Sequence, residues 1–155
     1  MAGSGPHLIA ALFCERAITE SDGVLSFIRV VDRFTQTATG IDPPEEMPPM
    51  MVNVQMVIVL KADQAKGRYT IKLVMEAPDT ERRQIGEQDV NLTPGNAGVN
   101  LVIGLQLGLN LEGVYWIDVL FGGPRGQQDV LLTRTPLEVV YQRQRVPAPP
   151  GQPEE

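Results

Sequence analysis

The chain has little of what most reaction centres are built from. Of its 155 residues one is cysteine, one is histidine and one is tryptophan. A lone cysteine closes no internal disulfide, and with a lone histidine it leaves a structural zinc short of its four ligands. No charged leader precedes an apolar stretch, and no apolar run reaches about 18 residues, so neither a signal peptide nor a membrane span is expected. Positive charge is scarce too. Against 13 Lys and Arg stand 19 Asp and Glu, a formal net charge of −6, whereas releasing counterions from nucleic acid or neutralising anionic lipid needs a basic surface. Nucleic acid and membrane are therefore not expected as partners, and the expected compartment is a reducing cytoplasm.

What is present is a rhythm of two. Val99, Leu101, Ile103, Leu105 and Leu107 alternate with Asn100, Gly104, Gln106 and Gly108; Tyr69, Ile71, Leu73 and Met75 alternate with Thr70, Lys72 and Glu76. Tyr115, Ile117, Val119 and Phe121 alternate with a set that includes Trp116 and Asp118. Period two is the signature of a half-buried strand. Met51 to Lys61 alternates at first and is apolar on both sides from Val57 to Leu60, which predicts a central strand. Turn signals separate the runs at Asp63–Gly67, Pro78–Thr80, Pro94–Gly98 and Gly122–Gly126. Gln84–Leu92, with Gly86 and several charges, predicts an edge strand; Pro136 lacks a backbone donor, so its strand should be an edge or bulged there. The expected fold is all-β, an antiparallel sandwich of about seven to nine strands, immunoglobulin-like or C2-like. Residues 7–144 should form its single domain, flanked by disordered ends at 1–6 and at the proline-rich, acidic 145–155.

The opening is ambiguous on pattern alone. Leu8, Ile9, Leu12 and Phe13 fit a helical stripe as well as a strand, and Ala10 and Ala11 favour helix. Ser21-Asp22-Gly23 followed by the β-branched run Val24–Val31 favours a hairpin. Near the other end, "LEGVYWIDV" places a glycine two residues before a tyrosine at a strand entrance, as in the tyrosine corner of immunoglobulin-like sandwiches. With "ALFCE", "LSFIRVVDRF" and "PLEVVY", the chain resembles a family of small uncharacterised bacterial β-sandwich proteins over residues 8–34 and 99–141. That resemblance implies a fold and brings no activity or site residues.

Candidates for chemistry are few. Cys14-Glu15-Arg16 invites reading as an activated thiol, but neighbours along a strand face opposite ways, so Glu15 cannot serve Cys14 as a base. Along one strand His7 would lie about 23 Å from Cys14. Asp42, Glu45 and Glu46 lack the spacing of a calcium loop, and Gly122–Gly126 with Arg125 lacks the following helix that phosphate loops use. No catalytic residue, metal or cofactor is expected, and the protein is not expected to be an enzyme. Ile41–Met51 is distinctive for its four prolines, with Glu45 and Glu46 keeping it wet and Met47, Met50 and Met51 adding adaptable apolar surface. It reads either as a partner-contacting loop or as a crossover between sheets. The expected function is a non-catalytic protein-interaction module that binds a partner protein or a second copy through a sheet edge. The alternative is a small-ligand or carbohydrate-binding sandwich in which Trp116 stacks on a sugar.

Overall fold

A computed structural model describes residues 5–123 and 128–151, apart from the side chains of residues 96–97. The loop reading that includes Arg125, and residues 1–4 and 152–155 of the two expected disordered ends, lie outside the described residues. Among them nine strands form: β1 (His7–Thr19), β2 (Leu25–Val31), β3 (Arg33–Gly40), β4 (Met50–Asp63), β5 (Gly67–Glu76), β6 (Arg82–Leu92), β7 (Gly95–Leu109), β8 (Gly113–Gly122) and β9 (Val130–Arg145). They build a four-stranded sheet in the order β2-β1-β4-β7 and a five-stranded sheet in the order β3-β9-β8-β5-β6. The sandwich expected from the sequence is the fold observed.

Inward positions follow the alternation. Leu101, Ile103, Leu105, Leu107 and Leu109 of β7 and Tyr115, Ile117, Val119 and Phe121 of β8 are all buried in the shared core. The opening is strand throughout, and β1 pairs antiparallel with β2. Gly23 makes their turn possible at φ +85°, where an L side chain is strained; its N–H donates to the Glu20 carbonyl at 2.9 Å. β4 lies inside its sheet and β6 at an edge, as their compositions indicate.

Two features depart from the sequence reading. "LSFIRVVDRF" is not one strand: the chain breaks at Asp32, changes sheets, and β3 runs parallel to the second half of β9, from Arg33 opposite Glu138 to Gly40 opposite Arg145. A parallel ladder between segments a hundred residues apart leaves no local mark in either. β9 is also internal to its sheet, yet the β3 ladder starts only at Glu138, so Pro136 pairs on one side alone, with Trp116 of β8. The proline sits where the strand is locally an edge and no donor is missed.

The tyrosine corner is formed. Tyr115 is 1% exposed; its hydroxyl donates to the Leu111 carbonyl at 2.9 Å and accepts from the Leu111 N–H at 3.1 Å. Gly113 has φ +129°, and a Cβ there would meet the Pro78 ring at 3.0 Å. This lock ties the β7–β8 crossover to the β5–β6 turn, and both border the site described next.

Candidate functional site

At the end of the sandwich where β4 begins and β7 ends, a cleft of about 480 Å³ opens. Met50 and Met75 with Leu109 and Tyr115 form its apolar lining, and Asp79, Glu81 and Arg83 from the β5–β6 hairpin add charge. Each wall has a local cause. The Pro78–Thr80 turn projects the acids, held by an Asp79 side chain that accepts the Glu81 N–H at 3.1 Å. Arg83, on edge strand β6, reaches across to edge strand β7 and donates to the Gly108 carbonyl at 3.1 Å. The cleft thus borders the free edges of both sheets.

Of the residues singled out from sequence, Met50 and Met51 line this cleft, Met51 at 63% exposure. Met47 does not: it is buried in the core, and Pro43 is buried with it. Their segment is a pinned crossover from β3 to β4, because Tyr141 donates its hydroxyl to the Pro44 carbonyl at 2.6 Å and Arg143 donates to the Pro43 carbonyl at 2.7 Å. Four prolines deprive the segment of internal hydrogen bonds, and β9 supplies them instead. Glu45 and Glu46 are exposed on this crossover and line no part of the cleft.

Trp116 faces the other way, on the outward side of the five-stranded sheet, 37% exposed. The guanidinium of Arg134 sits 5.2 Å from its ring centroid, so one face of the indole is already occupied by a cation. Arg134 also pairs with Glu76, and its Nε lies 3.3 Å from Oδ1 of Asp118, outside good hydrogen-bond alignment. Asp118 Oδ2 accepts from Arg82 at 2.8 Å, which together with Glu76 raises the Arg82 pKa further above its ordinary range. Further along this face Arg68 and Thr70 bond Asp89 and hold its carboxyl below the usual range. These ion pairs, exposed except for the buried Asp118 carboxylate, order a polar face.

The sole thiol and the sole imidazole stay apart. His7 bonds Asp63 at 2.8 Å; Cys14 is fully buried on β1, where desolvation pushes the thiol pKa up, partly opposed by the Arg16 backbone hydrogen bond. On β4 their ladder partners are Lys61 and Gln55, about 20 Å apart at strand rise. Met75, Asp79, Glu81, Arg83 and Asn110 were not found from sequence. Four of them lie within the one β5–β6 hairpin and Asn110 joins them from the end of β7, and no local pattern marks them as a site.

Nine strands, a tyrosine corner and a methionine-lined terminal cleft define, among the described residues, an immunoglobulin-like β-sandwich with a cleft at one end. No family model matches the chain, and no curated protein matches it. Among solved structures it is similar to the CARDB domain of the PF1109 protein from Pyrococcus furiosus, described in complex with di-metal ions. Identity is 11% and the TM-score 0.43, over 92% of this chain and 100% of that one. So remote a likeness carries no functional inference, and the resemblance to a bacterial family remains an expectation from the sequence.

Proposed function

We propose that the protein is a non-catalytic cytoplasmic interaction module that holds an extended segment of a partner protein in the Met50–Met51 cleft. The observation that carries this reading is the cleft's make-up: methionines beside the free edges of β6 and β7. Methionine side chains repack around varied surfaces, and a free edge supplies backbone donors and acceptors to an extended chain. The same edges would serve a second copy of the chain, which sedimentation velocity resolves directly.

The cleft volume also suits a small ligand, since sites of that kind span roughly 300–1,000 Å³. Trp116 contributes nothing to that second reading, because its ring faces away from the cleft and carries Arg134. Selection from a displayed peptide library, repeated on Met51→Glu, separates the two. Peptides that bind the parent and lose at least about ten-fold on the variant support the module; a library that yields none, with a metabolite raising the melting temperature instead, supports the small ligand.

A further inference from the structure

The acids of the cleft differ from the other carboxylates of their sheet. On the outward face of that sheet Glu76, Asp89 and Asp118 each pair with at least one arginine. Asp79 and Glu81, exposed at the cleft, have no ion-pair partner among the described residues. The cation that lines the cleft with them does not neutralise them. Arg83 directs its guanidinium to the Gly108 carbonyl at 3.1 Å and to neither acid.

The β5–β6 turn fixes where these charges stand. The Ala77 N–H donates to the Glu81 carbonyl at 2.8 Å and the Thr80 N–H to the Ala77 carbonyl at 2.9 Å, while Asp79 uses Oδ1 to accept the Glu81 N–H at 3.1 Å. Beside them Met75, Leu109 and Tyr115 line the cleft at 2%, 0% and 1% exposure. An apolar floor and two negative charges are thus both in place before anything binds, which spares a ligand the cost of ordering them.

We infer that the cleft selects a basic and apolar segment, an extended stretch of a partner protein whose large apolar side chain seats against Met50, Met75 and Leu109 while an adjoining lysine or arginine meets Asp79 and Glu81. The inference rests on the cleft being the binding site and adds the chemistry of its occupant. Charge at short and long range points the same way. The lining carries two carboxylates against one guanidinium, and the whole chain carries −6, so a cationic segment is attracted both to the protein and to the cleft. A second copy brings its own −6 and is repelled. An uncharged apolar segment would cover the two acids without pairing them, at a cost in lost hydration.

Methionine-methyl NMR of the full chain, titrated with peptides that differ only in the residues flanking a central leucine, tests this. The lysine-flanked peptide should move Met50, Met51 and Met75 and bind at least about ten-fold more tightly than the glutamate-flanked one, with the glutamine-flanked one between them. In roughly 1 M salt, where the Debye length is about 3 Å, the gap should shrink to about two-fold. It should shrink as far in the double variant Asp79→Asn, Glu81→Gln, in which an amide oxygen at position 79 still accepts the backbone N–H two residues on and keeps the turn. Equal affinities for all the peptides at those methionines, or a lysine preference that survives the double variant, would overturn the inference and leave the cleft a binding site. Peptides that move none of the cleft methionines would overturn both readings. Displacement of the lysine peptide by an equal concentration of spermidine would assign the acids to a small polyamine and overturn the inference as well.

Discussion

Replacing Tyr115 with phenylalanine removes one oxygen and leaves the ring. That oxygen makes two hydrogen bonds, both to the backbone of Leu111, at the crossover from β7 to β8. Each bond contributes about 1 kcal/mol net, and the half-buried Leu111 groups left behind lose part of their solvation as well. The expected cost is therefore about 2–3 kcal/mol. For a chain of 155 residues that lowers the melting temperature by about 4–10 °C. Urea unfolding of both proteins measures it: the midpoint should fall while the slope stays the same, because the fold and the surface exposed on unfolding do not change. A loss below about 0.5 kcal/mol would show that the phenol does not pin the crossover, and the reading of this corner as a lock would fail.

Gly113→Ala strains the same corner by another route, through a positive φ and contact with the Pro78 ring at 3.0 Å; a loss of about 1–3 kcal/mol in the same melt is expected. The buried Cys14 thiol, its pKa raised in the fold, favours the folded state fully below its ordinary value of 9.0, and that contribution is lost as pH climbs from there through the folded value. Stability of the parent relative to Cys14→Ala should fall above about pH 9, and a thiol reagent should label native protein far more slowly than urea-unfolded protein. Asp89 runs in the opposite sense. Arg68 and Thr70 depress its carboxyl, so its contribution is present above the ordinary 3.8 and is lost as pH falls through the folded value; Asp89→Asn should flatten the acid limb of the stability profile.

Where the chain's own neighbours decide the structure, the sequence could be read. The Ser21–Gly23 turn needs a glycine at positive φ, the tyrosine corner needs Gly113 two residues before Tyr115, and β6 shows its edge position in Gly86 and its charges. Alternation also put Trp116 and Asp118 on the face opposite Tyr115, as observed. What escaped depends on partners far away. β3 is a polar segment whose only reason to be a strand is the parallel ladder to β9. Met47 looked available for a partner because it stands among prolines and acids, yet Tyr141 and Arg143 anchor that segment and leave Met47 in the core. The cleft was half legible: Met50 and Met51 follow from their place at the start of β4, whereas Asp79, Glu81 and Arg83 reach it only through the β5–β6 hairpin.

Six methionines make the cleft directly observable. With the methyl carbons labelled and a library-selected peptide titrated in, resonances of Met50, Met51 and Met75 should move together with a single affinity. Those of Met47 and Met56, which do not line the cleft, should stay in place. Movement of Met47 and Met56 equal to that of the cleft methionines, or a saturating peptide that leaves Met50, Met51 and Met75 unmoved, would contradict the account.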